Sequence, residues 1–421
     1  MRLLFVVQRY GPEVAGGAET CCREFATRLG ARGHEVEVLT STALSYLDWA
    51  NHFPAGPAEL DGVTVHRLPV DGQRDDRFFT PLNTRVVWGH KPVPLHLQHQ
   101  WMRSQGPWMR NLVPWLVERA AGYDVVIFFT YLYYPTWAGL PAAAALAPTI
   151  LHPTAHDEPP IALELFRPMF RHPSAFAFLT EEELELVQAR FPIGRPYDVV
   201  GVGVDLARHG DGGAAFRAAH GLGDRPYLLF VGRVDPAKGS EELLEFFAAH
   251  KERVPGPLAL AVVGDPVRPL DEHPDVICAG YVTEAVKESA LSGALALVQP
   301  SYFESFSMIL TEAWAHAKPA LVQGYCDVLA GQCRRSGGGI PYRGFAEFDA
   351  ALEMLLGDAP LRDRLGRAGR RHVEERYDWD RVLERYEALL ESTRISTGSR
   401  TRPMSRPGAL TSKRRSCSQL S

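Results

Sequence analysis

The chain has 421 residues, 46% hydrophobic and 23% charged, with 45 Lys/Arg against 50 Asp/Glu and a formal charge of −5. That balance excludes collagen-like, wholly disordered and disulfide-scaffold chains, and no run of about 18 uninterrupted apolar residues offers a membrane span. At roughly 150 residues per domain, the length calls for two or three domains. The six cysteines (Cys21, Cys22, Cys278, Cys326, Cys333 and Cys417) show no CxxC or zinc-type spacing, which reads as reduced cytosolic thiols. The apolar start at residues 1–7 is cut off by Gln8-Arg9-Tyr10, too short for a secretory signal, so a cytoplasmic chain is expected.

Residues 3–7 form a continuous apolar run of strand length, suited to a strand buried on both faces of a parallel sheet. A turn-rich loop at 11–17 leads into a helical pattern at 18–29, which Gly30 and Gly33 end before a strand at 36–39. The cycle recurs with strands at 124–129, 149–151 and 175–179, and helices at 137–146 and 181–190. After a loop rich in Gly, Pro and His at 194–225, a second series follows, with strands at 227–231, 258–263, 276–279, 295–299 and 320–323. Alternation of this kind implies α/β architecture: two Rossmann-like doubly wound parallel-sheet domains. Ligands of such sheets gather outside the strands' carboxyl ends, so the default site is the cleft between the two domains.

The stretch Phe230 to Gly239 (FVGRVDPAKG) ends a buried strand and leads into a helix near Ser240. Backbone N–H groups at a helix start, flanked by Arg233 and Lys238, make an anion site that could hold both sides of a diphosphate. It is not a Walker loop. Farther on, Glu304 sits at a loop–helix junction and Glu312 two turns into the helix, with carboxylates about 12 Å apart at helical rise. Backbone N–H groups around Phe306 and Ser307 would lie beside a bound diphosphate. For each of these groups the alternative is an ordinary surface or helix-start charge.

The E-x7-E pair, the VGR…K loop, Gly16-Gly17-Ala18-Glu19, His156-Asp157 and Val202-Gly203-Val204-Asp205 occur here in one order. Together they resemble the retaining family 4 glycosyltransferases of GT-B fold (glycosyltransferase group 1), over about residues 1–391. The resemblance implies transfer of a sugar from a nucleoside-diphosphate sugar to a saccharide or glycolipid acceptor in cell-envelope synthesis. It implies no cofactor beyond that co-substrate, no required metal and no nucleic-acid partner. Arg233 and Lys238 would bind the donor diphosphate, Glu304 the donor sugar and Glu312 the ribose. Gly16 and Gly17 would bring backbone close to the donor, His156 would face the transferred sugar, and Tyr281 and Val282 would contact the base. Ser305 and Ser307 stand where the family often has glycines, so their hydroxymethyl groups reshape the sugar pocket. The implied domains are 1–205 for the acceptor and 206–379 for the donor, followed by a terminal helix at 380–391. Alternatives from outside this activity are a GT-B sugar-nucleotide epimerase, which needs no acceptor, and a non-catalytic sugar-nucleotide-binding scaffold.

Three further stretches need a reading. Asp378-Trp379-Asp380 spells a DxD metal string but precedes a helix at 381–390, where capping accounts for it. Residues 77–123 combine basic side chains with Trp101, Trp108 and Trp115 at seven-residue spacing. Pro107 and Pro114 favour separate short helices, which either pack on the first domain or form an acceptor-facing or membrane-surface patch. Residues 392–421 hold eight serines and seven Lys/Arg with no acid, and read as disordered. With those seven removed from the 45, 38 basic residues face 50 acidic ones, so the body carries −12. The tail either makes a weak peripheral contact with anionic lipid or is a solvated end.

Overall fold

The computed structural model describes residues 1–206, 210–235, 238–264 and 273–398. The first sheet contains β1 (Arg2–Val6), β2 (Glu35–Ser41), β3 (Gly56–Leu60), β4 (Val63–Leu68), β5 (Val125–Phe129), β6 (Thr149–His152), β7 (Ala175–Phe178) and β8 (Tyr197–Val199). The second contains β9 (Tyr227–Val231), β10 (Ala259–Val263), β11 (Val276–Gly280), β12 (Ala296–Gln299), β13 (Ala320–Gln323) and β14 (Gly339–Tyr342). Their spatial orders are β3-β4-β2-β1-β5-β6-β7-β8 and β11-β10-β9-β12-β13-β14. Every ladder is parallel except β3–β4.

Every strand expected from the apolar runs is present, because a strand covered on both faces needs apolar residues at consecutive positions. In β1, Leu3 and Phe5 enter one packed layer while Leu4 and Val6 enter the other. The strands that apolar runs do not mark have other signatures. β4 alternates buried and half-buried residues, and the hairpin joining it to β3 turns at Asp61-Gly62, both at positive φ (51° and 77°). β8 and β14 are short edge strands.

Helix boundaries differ from expectation at three places, and the helix expected at 137–146 runs Tyr134–Ala144. The first helix runs Gly17–Ala31, passing through Gly30. The last runs Trp379–Gly398, so residues 392–398 are helical rather than disordered, and residues 399–421 lie outside the described ones. This helix is long because its apolar face has a partner. Tyr386 packs on Phe25 at 4.6 Å between ring centroids, with the rings tilted by 31°, and its hydroxyl meets His152 Nε2 at 2.9 Å. Arg32 binds Glu387 at 3.0 Å and Asp380 at 3.2 Å. The chain therefore finishes the second sheet and returns to the first domain. In the DxD string, the Asp378 carboxylate accepts the Asp380 N–H at 3.1 Å, which caps this helix.

The tryptophan-rich segment forms the separate helices Asp76–Asn83, Leu95–Gln105 and Leu112–Arg119. Trp101 is buried and donates to Asn83 Oδ1 at 2.8 Å, and Trp115 lies against His66. Phe78 and Trp88, by contrast, are 74% and 67% exposed. Among the described residues no helix is long and apolar enough to cross a membrane.

Burial pushes the His152 imidazole down to about 3 and that of His372 to about 4, from 6.5. The unfolded chain takes up these protons near 6.5 and the folded chain does not, so stability present above pH 6.5 is lost as pH falls. Relative to His152→Gln, the wild type is expected to lose about 2–3 kcal/mol between pH 7 and pH 4.5. Denaturant midpoints at the two pH values measure this, and an unchanging gap between the proteins would clear His152 of the effect.

Candidate active site

The carboxyl ends of the two parallel sheets face one another, and the loops leaving them line a cleft of about 390 Å3. From the first domain come the stretches after β1 and β6, with Gly16, Gly17 and His156. From the second come those after β9 and β12, with Arg233, Lys238 and residues 304–308. An adjoining chamber of about 630 Å3 shares His156, Phe303 and Glu304 as its wall with the first.

Asp235 organises the loop after β9. Its carboxylate accepts from Arg233 Nε and from the Lys238 N–H (3.1 Å), while its carbonyl accepts from the Ser240 hydroxyl (3.0 Å). Gly239, at φ +68°, stands at the N-cap of the helix Ser240–Arg253. A Cβ there would lie 2.2 Å from the Pro300 carbonyl oxygen, so both the backbone angle and the close passage demand glycine. Lys238 Nζ reaches across to Glu304 Oε1 at 2.7 Å.

Glu304 is not at a helix start. The helix runs Met308–Ala315, four residues later, which leaves Glu304 in the loop and Glu312 in the helix's second turn. Gln299, the last residue of β12, donates Nε2 to Glu304 Oε1 (3.2 Å) and to Ser307 Oγ (3.1 Å). Ser307 holds φ +71°, a left-handed backbone that glycine adopts without strain and serine does not. Ser305 and Phe306 line the cleft beside it. Glu312 pairs with Lys287 at 2.9 Å, and burial raises its carboxyl above the ordinary range despite that cation. Tyr281 is 75% exposed after β11, and Val282 packs half-buried on the core. Neither these two nor Glu312 lines the two chambers.

In the first domain, a Cβ on Gly16 would lie 2.2 Å from Glu19 Oε2, whereas one on Gly17 would meet nothing within 4 Å. The Gly16 restriction is thus internal to its loop. That loop is fixed by a buried ion pair, Arg9 to Glu19 at 2.6 Å, with Arg9 also donating to the carbonyls of Ala15 (3.1 Å) and Leu44 (2.9 Å). His156 lies 3.4 Å from Glu158 and faces Phe303. Its loop hangs on Glu183, whose carboxylate accepts the N–H groups of Ala155 and Leu179 at 2.7 Å each. Burial pushes the Glu183 carboxyl up to about 8, with those N–H bonds opposing.

Gly16, Gly17, His156, Arg233, Lys238, Glu304, Ser305, Phe306 and Ser307 therefore converge, and Glu312, Tyr281 and Val282 stand apart from the cavity. The arrangement offers two cations and helix-start N–H groups to an anion, and carboxylates to hydroxyl groups. Sequence reasoning missed Arg9, Tyr46, Asp235, Glu183, Lys287 and Gln299. Of these only Asp235 had a local signal, inside the loop motif. Gln299 lies near Glu304 and Ser307 in sequence but carries no motif of its own, whereas Tyr46 and Lys287 are distant in sequence from what they hold. His152 and His156, four apart, are separated by the end of β6, with only His156 in the cleft.

Two facing parallel-sheet domains with a polar cleft between them are the layout of the GT-B glycosyltransferases. Sucrose-phosphate synthase from Thermosynechococcus elongatus superposes with a TM-score of 0.71 at 17% identity, covering 94% of this chain and 99% of that one. Anabaena HepE, solved with UDP and glucose, gives 0.65 at 15% identity, covering 93% and 100%. Residues 16–203 match the model of the glycosyl transferase 4-like domain, and residues 225–358 that of glycosyl transferases group 1. The chain belongs to the group 1 glycosyltransferase family. A D-inositol 3-phosphate glycosyltransferase of Nocardia farcinica is 32% identical over 237 residues, covering 50% of this chain. This chain spans about half of that relative's length, 51%. Glycogen synthase from Mycobacterium tuberculosis is 26% identical over 407 residues, covering 91% of this chain and 92% of that protein.

Gly239→Ala is expected to cost about 2–4 kcal/mol, from left-handed strain plus the clash with Pro300. A thermal midpoint within 1 °C or so of wild type would show that the loop accommodates a Cβ.

Proposed function

We propose that the protein transfers a sugar from a nucleoside-diphosphate sugar to an acceptor hydroxyl, with retention of anomeric configuration. The observation that carries this reading is the facing of Arg233, Lys238 and Glu304 on one domain with His156 and the Gly16-Gly17 loop on the other. Arg233 and Lys238 bind the diphosphate and stabilise the charge that develops as the glycosidic bond to phosphate breaks. Lys238 then exchanges its partner Glu304 for phosphate oxygens, which releases the carboxylate to accept hydroxyls of the transferred sugar. Glu312, outside the cavity and paired with Lys287, takes the ribose hydroxyls where the nucleotide runs beyond the cleft, with Tyr281 and Val282 beside the base. His156 faces the transferred sugar, and closure of the cleft excludes water. HepE was solved with UDP and glucose, which makes UDP-glucose the first donor to try.

The acceptor is a saccharide or glycolipid of the cell envelope, entering through the larger chamber beyond His156. The enzyme works in the cytoplasm with weak peripheral contact to the membrane. Exposed Phe78 and Trp88, with Arg77 and Arg85 between and beside them, support that contact.

Each charge-assisted bond contributes about 1.5–3 kcal/mol, so Arg233→Ala or Lys238→Ala should lower turnover roughly ten- to a hundredfold. A panel of labelled sugar nucleotides separates transfer from epimerised donor and from binding alone. With a donor in hand, NMR of the product decides the stereochemistry, and an inverted anomeric centre sinks the retention claim. For the membrane contact, flotation with vesicles containing anionic lipid should recover the wild type but not a Phe78→Ala/Trp88→Ala variant. Equal recovery of both removes that part of the reading.

A further inference from the structure

Arg233 projects from the second domain and is only partly covered, with 42% of its side chain exposed. A long side chain in that setting samples many rotamers, and fixing it costs conformational entropy. Asp235 holds its Nε end. The far end is held from the opposite domain: Nη1 donates to the Tyr46 hydroxyl at 2.5 Å, and the guanidinium carbon lies 5.3 Å from the centre of the Tyr46 ring.

Tyr46 is itself fixed from behind. The buried Arg9 guanidinium lies 5.2 Å from the same ring centre, and its Nη1 donates to the carbonyl of Leu44, two residues before Tyr46. Arg9 is locked in turn by Glu19 and by the Ala15 carbonyl of the glycine loop. One run of contacts, from Glu19 through Arg9 and Tyr46 to Arg233 and Asp235, thus joins the glycine loop of one domain to the anion-binding arginine of the other.

We infer that Tyr46 is a positioning residue that aligns Arg233 only when the cleft is closed, coupling domain closure to the stabilisation of the leaving diphosphate. This rests on the donor site proposed above. The geometry supports it because Tyr46 lies in the first domain while the group it orients lies in the second. When the domains separate, Arg233 keeps Asp235 and loses both the hydrogen bond and the aromatic face. A donor bound to the second domain alone would then face a mobile arginine, and turnover would wait on closure.

Steady-state kinetics of Tyr46→Ala, Tyr46→Phe, Arg233→Ala and the Tyr46→Ala/Arg233→Ala double variant test the inference, with the best donor from the panel. Tyr46→Ala should lower kcat roughly tenfold or more with donor KM within about threefold. Tyr46→Phe, which keeps the ring, should recover part of that loss. The double variant should be no slower than Arg233→Ala, because two residues acting through one contact are not additive. If Tyr46→Ala fails to fold, Tyr46→Phe alone still reports on the hydroxyl, and kcat equal to wild type in that variant overturns the hydrogen-bonding role. An impaired Arg233→Ala with normal Tyr46 variants, or losses that multiply in the double variant, overturns this inference and leaves the donor site standing. A normal Arg233→Ala overturns the donor site itself.

Discussion

The structure depends on one constraint, that parallel strands buried on both faces need crossover helices. Each crossover returns the chain to the same edge, so the loops after β1, β6, β9 and β12 all emerge at carboxyl ends. Facing two such edges concentrates loops, helix N-termini and polar side chains in one gap without a dedicated segment to build it. The same constraint explains why the site residues are spread from Gly16 to Glu312.

Charge in and around that gap is paired in the structure. Arg9 holds Glu19, Arg233 holds Asp235, Lys238 holds Glu304, and Lys287 holds Glu312. These pairs differ in accessibility. Arg9 and Glu19 are nearly inaccessible and shape the glycine loop, where losing one partner would leave an uncompensated charge. Lys238 and Arg233 are a third or more exposed. Their carboxylates, Asp235 and Glu304, are only 10% and 12% exposed, so a ligand that draws Lys238 from Glu304 must leave that carboxylate other donors, which sugar hydroxyls can supply. Burial therefore separates the charges that build the loops from those available to a ligand.

The returning helix adds a second kind of dependence. His152, at the end of β6, is held neutral between Phe25, Phe129 and Tyr386. Four residues on, His156 is in the cleft, its loop suspended from Glu183. The helix Trp379–Gly398 thus braces the strand that carries a site residue, although no residue of that helix lines the cleft. Its length was not legible locally, because a Ser/Thr-rich stretch with little apolar periodicity becomes helical here as the continuation of a packed helix.

From sequence alone, the doubly buried strands, the two-domain division and the loops bearing Arg233, Lys238 and Glu304 were legible, since each is written in consecutive residues. The Asp61-Gly62 hairpin was legible in principle and overlooked, its half-buried strand alternating instead of running apolar. Short edge strands carried too few residues to signal themselves. Tertiary structure alone decided which polar groups meet: Arg9 reaching the Leu44 carbonyl, Lys287 meeting Glu312, and Tyr46 touching Arg233 across 187 positions. Local patterning determines elements because a strand or helix answers to its own neighbours. A pairing across a cleft answers to where the other domain comes to rest.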